Sequence, residues 1–162
     1  MAIEYILTNQ TREHVMTHFS GNLPGSYFDT SVFPTPESIF SFLKNKAIYE
    51  CIKQENGSKI HIYNFEHEIG FDGIGKYNET SDETVIKLER NGIEIPYVIT
   101  HNSLPKTTQL CLVVFISNEN YQVITMFPGK YAPPFPNNKQ STTFYKTCKE
   151  FWEEHILMKE NY

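Results

Sequence analysis

The apolar and polar positions of the chain are most sharply patterned between Gln109 and Pro136. Leu110–Ile116 is an almost unbroken run of aliphatic, β-branched and aromatic residues, which predicts a strand covered on both faces. Ser117-Asn118-Glu119-Asn120 has a turn composition, so Tyr121–Phe127 is expected to return as its antiparallel partner. Pro128 has no N–H for a ladder and Gly129 relaxes the backbone, which places the end of pairing there. Lys130–Pro136 is too rich in proline for strand or helix and predicts a stiff extended arm.

The rest of the chain divides into shorter periodic stretches. Met1–Leu7 alternates and is expected as an edge strand. Thr11 is a candidate cap for a helix carrying Val15, Met16 and Phe19 at helical spacing, with Gly21 as its stop. Asn22–Pro34 is a loop whose aromatic residues predict packing. Thr35-Pro36-Glu37 combines a capping hydroxyl, proline at the first helical position and an acid in the first turn, opening a helix expected to reach about Gln54. Lys59–Phe65 alternates as a strand, with Ile60 and Ile62 on one face and His61 and Tyr63 on the other. The glycines of Glu66–Lys76 predict a bent strand end or loop. Thr84–Glu89 and Ile93–Thr100 form a hairpin around Asn91-Gly92, with Pro96 marking an edge strand or a bulge. Ser141 or Thr142 caps a last helix with Phe144, Tyr145, Cys148, Phe151, Trp152, His155 and Ile156 along one side.

This order predicts an α+β fold, with N-terminal helices packed on a mostly antiparallel sheet of about five strands and a C-terminal helix. At 162 residues, without internal repeat or linker, the expectation is a single domain. No apolar run is long enough for a transmembrane helix, and Met1–Gln10 lacks the pattern of a secretory leader. Cys51, Cys111 and Cys148 are widely spaced and odd in number, which suits buried thiols in a reducing compartment. A cytoplasmic location follows as the expectation, reached by synthesis there or by delivery from another cell. The net charge of −5 argues against an extended nucleic-acid-coating surface, but leaves room for an enzyme that grips one or two phosphates.

Six histidines stand out in a chain of this length, because imidazole suits proton transfer near neutral pH. His14 and His18 are i, i+4 neighbours on the first helix. His14/His18, His61/His67 and Glu66-His67-Glu68 resemble fragments of a metal site, but no third ligand stands at a recognisable offset, so no metal and no cofactor are expected. Gly70-Phe71-Asp72-Gly73-Ile74-Gly75 lacks the helix that a phosphate-binding loop would need. No Gly-x-Ser-x-Gly elbow occurs. What remains is a scattered set of histidines, hydroxyls and cations. Metal-free RNA cleavage uses such a set: a base for the 2′-hydroxyl, an acid for the leaving 5′-oxygen, and donors for the charged phosphorane. The candidates are His14 and His18 on the first helix, His101 at a strand end, Thr125 on the central strand, and Lys130 and Tyr131 at the start of the arm.

Three segments carry a resemblance to a known superfamily. They are Glu13-His14-Val15 on an opening helix, Ser31-Val32-Phe33-Pro34-Thr35 leading into a second helix, and Tyr121-Gln122-Val123-Ile124-Thr125-Met126-Phe127-Pro128 as a closing strand. In these the chain resembles the barnase–EndoU–colicin–RelE ribonuclease folds, in particular the RNase A-like C-terminal toxins of contact-dependent inhibition proteins. The resemblance implies a metal-independent, toxin-like ribonuclease acting on RNA such as tRNA, with His14 and Thr125 in the active site and Phe127 at the aromatic position. It also implies a cognate immunity or antitoxin protein as partner; no membrane partner is expected, since no long apolar run is present. The alternative is a non-enzymatic acidic binding protein, such as an immunity protein or a phage or mobile-element accessory factor, presenting the arm Tyr131–Pro136 as its contact surface.

Overall fold

The computed structural model describes residues 4–19, 26–45, 55–73, 83–90, 92–100, 105–118 and 120–155. In chain order the elements are β1 (Glu4–Ile6), α1 (Asn9–Met16) with a 3₁₀ turn (Thr17–Phe19), β2 (Tyr27–Phe28), α2 (Pro36–Phe42), β3 (Gly57–Asn64) and β4 (Gly70–Phe71). There follow β5 (Glu83–Arg90), β6 (Ile93–Thr100), β7 (Lys106–Thr107), β8 (Gln109–Ser117), β9 (Asn120–Pro128) and α3 (Thr142–His155). The fold is α+β, as the pattern predicts. The chain forms two compact units, Met1–Gly73 with Lys106–Tyr131, and Ile74–Pro105 with Ala132–Tyr162.

The first unit is organised by the central hairpin. Strands β8 and β9 pair antiparallel from Leu110↔Pro128 to Ser117↔Asn120. Strand β3 adds antiparallel to the other side of β8, and β1 adds parallel to β9, in the order β1-β9-β8-β3. The expected N-terminal edge strand is therefore present. Leu110, Cys111 and Leu112 are all buried, so β8 begins as a strand covered on both faces; further on Val114 and Ile116 stay buried while Phe115 is exposed. The buried face packs on Val15 of α1, Phe28 of β2, Phe33 before α2, Ile39 and Phe40 of α2, Leu43 beyond it and Ile69.

Helix α1 begins earlier than the sequence suggests. Its cap is Thr8, whose hydroxyl accepts from the Thr11 N–H at 3.2 Å. Thr11 is instead buried, because it faces the sheet. Helix α2 starts as expected, with Thr35 extended and Pro36 at the first position, although the Thr35 side chain makes no capping bond. Arg12 of α1 lies over the Phe40 ring of α2 at 4.9 Å, tying the two helices together. Helix α2 ends at Phe42 with Leu43 as its cap, short of the expected Gln54; residues 46–54, Cys51 among them, lie outside the described residues. Strands β2, β4 and β7 form a small second sheet in the order β2-β4-β7. Gly70 of β4 makes that sheet possible, since a Cβ there would run into the Tyr27 carbonyl oxygen and lie 2.9 Å from Pro128 Cγ.

In the second unit, β5 and β6 pair antiparallel from Arg90↔Ile93 to Glu83↔Thr100. Pro96 stands opposite Lys87 without a slip in register; in a two-stranded ribbon both strands are edges, which a residue without N–H tolerates. The proline arm is neither strand nor helix; Tyr131 at its start is exposed, whereas Phe135 is buried and meets Trp152 of α3 at 4.6 Å between ring centroids. The Trp152 indole N–H donates to the Pro133 and Pro134 carbonyls at 3.0 and 3.1 Å. Ser141 caps α3, its hydroxyl accepting from the Phe144 N–H at 3.3 Å. Cys148, Trp152 and His155 form the buried stripe of that helix, while Phe144 and Tyr145 remain exposed. No helix among the described residues is long and apolar enough to cross a membrane.

Candidate functional site

Strand β9 carries a bulge at the point where β1 stops accompanying it. Val113 faces Thr125 and Val114 faces Val123, so Ile124 is the extra residue. Beyond Gln122 the edge of β9 has no strand beside it among the described residues. Helix α1 takes that place: the buried Thr11 hydroxyl donates to the Val123 carbonyl at 3.1 Å and reaches the Ile124 carbonyl at 3.4 Å. Alternation along β9 past the bulge puts Thr125 and Phe127 on one face.

The end of the first helix brings its two histidines to this edge. The His14 and His18 rings meet edge to face at 5.3 Å between centroids, and the His18 ring lies 5.8 Å from that of Phe127. His18 falls in the 3₁₀ turn rather than in α1 proper, but the i, i+4 neighbourhood survives the tightening. Its Nδ1 lies 2.7 Å from the Ser26 carbonyl oxygen. A carbonyl only accepts, so Nδ1 carries the hydrogen, and in the neutral ring Nε2 carries the lone pair. That Nε2 is buried and has no hydrogen-bond partner among the described residues, and the same is true of the Thr125 hydroxyl. Burial drives the His18 pKa below its ordinary value and the charge of exposed His14 lowers it further, outweighing the Ser26 bond, which favours the protonated form.

At the end of β9 lies a buried acid. Asp72 follows β4 and is 6% exposed. Its carboxylate accepts from the Lys130 N–H at 3.4 Å. Gly129, at φ +103°, lies so close that a Cβ there would come within 2.6 Å of Asp72 Cγ. The N–H of Gly73, the next residue, donates to the Ser26 hydroxyl at 3.0 Å. Asp72 also acts on Cys111: burial first, then this negative charge, push that thiol up to about 12.

No protein-family model matches the chain, and no match was found among the curated proteins or the solved structures.

Of the residues singled out in the sequence, His14, His18 and Phe127 are brought into ring contact, and Thr125 stands on the same strand and face as Phe127. Lys130 and Tyr131 follow the glycine that ends β9, with Lys130 held through its main chain and Tyr131 exposed. His101 lies outside the described residues. His61 sits on β3, partly buried, and burial lowers its pKa. Among the described residues no three His, Cys, Asp or Glu side chains gather to hold an ion. Sequence reasoning missed Ser26 and Asp72. Asp72 had a signal, an acid set between glycines in Gly70–Gly75, but no sequence rule pairs that segment with Gly129.

Chemically, a neutral imidazole presenting a desolvated lone pair is a proton acceptor. A desolvated hydroxyl is a donor to a negatively charged oxygen. The exposed second imidazole, His14, stands beside that of His18, 5.3 Å away between ring centroids.

Proposed function

We propose that this chain is a metal-independent endoribonuclease of the toxin type, working by histidine acid–base chemistry at the β9 edge. The observation that carries the reading is the pair of buried, unpartnered polar atoms, His18 Nε2 and Thr125 Oγ1. Buried polar groups in folded proteins find partners, and each exception calls for an explanation, a catalytic role being one. His18 Nε2 takes the proton of a ribose 2′-hydroxyl, and the 2′-oxygen attacks the adjacent phosphorus. The P–O5′ bond breaks, and His14 in its protonated form supplies the proton to the departing 5′-oxygen. The products are a 2′,3′-cyclic phosphate and a 5′-hydroxyl end. Thr125 donates to a non-bridging oxygen as charge builds on the phosphorane. Lys130 and Tyr131 hold phosphate and base beyond the strand end, and Phe127 offers a ring against which a base can stack. RNA such as tRNA is the substrate, and a cognate immunity or antitoxin protein is the matching partner. The segments that resemble the barnase–EndoU–colicin–RelE folds point to the same chemistry.

The test is direct. Purified protein in chelator is incubated with total RNA, and the products are examined for cyclic phosphate ends. Alanine at His18 or at His14 is expected to lower the rate by roughly two to four decades. A parent protein that leaves RNA intact, or variants that cut at the parental rate, overturns the assignment.

A further inference from the structure

We propose that Asp72 is a positioning residue, a buried carboxylate around which the His18 imidazole and the Gly129–Lys130 turn are both set. The proposal builds on the nuclease reading only in treating His18 as the reactive base. An interior carboxylate is costly unless its surroundings compensate it, so its presence calls for a role.

The geometry defines that role on two sides. On one side, the turn that ends β9 wraps the carboxylate. Gly129 lies flat against it, with no room for a Cβ, and the Lys130 N–H points at Oδ2 from 3.4 Å. The direction in which Lys130 and Tyr131 leave the sheet is thereby fixed by Asp72. On the other side, a chain of hydrogen bonds leads to the imidazole. Gly73, covalently next to Asp72, donates its N–H to the Ser26 hydroxyl, and the Ser26 carbonyl accepts the hydrogen on His18 Nδ1. Ser26 is itself buried, so this link is shielded from exchange with solvent. Short strands hold both ends: β2 begins at Tyr27, one residue after Ser26, and β4 ends at Phe71, one residue before Asp72, and the two strands pair Tyr27↔Phe71. A displacement of residues 72 and 73 therefore moves Ser26, and with it the bond that decides which imidazole nitrogen carries the lone pair.

The measurement is nitrogen NMR of the histidine rings in the labelled full chain, followed through a pH titration. In the parent, His18 is expected as the Nδ1–H tautomer with a midpoint below 6.5, the ordinary value. In Asp72→Ala the two tautomers mix, the midpoint falls still further below that ordinary value because the Ser26 bond that favours the protonated ring is weakened, and the Lys130 amide exchanges about tenfold faster, the size of one lost hydrogen bond. Asp72→Asn keeps an oxygen in the same place and is expected to restore both the tautomer and the amide protection. Ser26→Ala removes only the oxygen that receives the Gly73 N–H; it gives the same His18 changes and serves as the decisive variant if Asp72→Ala does not fold. An unchanged His18 tautomer and midpoint in folded Asp72→Ala, or in Ser26→Ala where the former fails to fold, overturns the proposal. None of these readouts uses RNA. A parent that cuts no RNA while the shifts appear removes the nuclease reading and leaves the positioning role standing.

Discussion

The Thr11 hydroxyl donates to the carbonyl of Val123 at 3.1 Å, joining the first helix to the strand that lies at the far end of the chain. Through it, the helix replaces a missing neighbour strand at the β9 edge, and His14 and His18 are delivered beside the bulge at Ile124. Thr11→Val keeps the shape and removes the donor, leaving the Val123 carbonyl without it. The expected loss is about 1–3 kcal/mol of folding stability. Urea unfolding followed by circular dichroism measures it, and Thr11→Ser, which retains the hydroxyl, should recover most of it. Equal midpoints for the Val variant and the parent would mean that this bond contributes nothing net.

A base must be neutral to accept a proton, and His18 has its pKa lowered, chiefly by burial and further by the charge of His14. The rate on RNA is therefore expected to be level through neutral pH and to fall on acidification only below 6.5, as the folded-state pKa is crossed. In His18→Ala this limb disappears with the activity. In Thr125→Ala, which retains the base, the limb stays in place while the rate drops. The same depression has a stability counterpart. The unfolded chain takes up the proton first, so stability is full above the unfolded pKa and is lost as pH falls from there towards the folded one. A limb centred above 6.5 in the parent contradicts the assignment of His18 as base.

The readable parts of this fold are those whose signal is local. The β8–β9 hairpin was legible because two apolar runs flank a four-residue polar turn, and its end was legible because Pro128 and Gly129 interrupt the ladder chemically. Thr35-Pro36 and the hairpin register that closes at Arg90↔Ile93 were legible for the same reason. The site was only half legible. The His14–His18 pair follows from helical spacing, whereas its meeting with Phe127 depends on β1 running parallel beside β9, and no local pattern specifies that partner. The two-residue strands β2, β4 and β7 are too short to have a period at all, so the position of Asp72 was invisible. The sequence pointed to Thr11 as the cap, whereas Thr8, three residues earlier, takes that place and Thr11 is buried, a tertiary outcome that the local pattern does not reveal.

Gly129 is the residue on which the end of β9 turns. Its φ of +103° suits glycine, and the Asp72 carboxylate occupies the space that any side chain would enter. Gly129→Ala meets both objections at once. Backbone strain of this kind amounts to about 1–3 kcal/mol, and the contact with a buried carboxylate adds to it. The urea midpoint should fall accordingly. In Gly129→Ala combined with Asp72→Ala the steric part is relieved, so the double variant should be less destabilised than the sum of the two single ones. Additive losses would mean that the two residues do not press on one another.

Trp152 is the only tryptophan of the chain, and it is fully buried against Phe135. Its emission therefore reports on its contact with the arm, and should lie to the blue in the native protein and move to the red as arm and helix separate. The indole also holds the arm chemically, by donating to the Pro133 and Pro134 carbonyls. Trp152→Phe keeps an aromatic ring, loses that donor and leaves a smaller group in the same space. The loss should be about 1–3 kcal/mol, combining the hydrogen bond with a partial cavity. It is measured by the thermal transition of the helical circular dichroism signal, since the fluorophore is gone. Activity on RNA provides the complementary reading, because the residues assigned to chemistry all belong to the first unit. If Trp152→Phe lowers the transition while the rate on RNA at moderate temperature stays within about a factor of two, under 0.5 kcal/mol, the arm and α3 contribute stability alone. If the rate falls by a decade or more with the fold retained, the second unit contributes to activity as well as to stability.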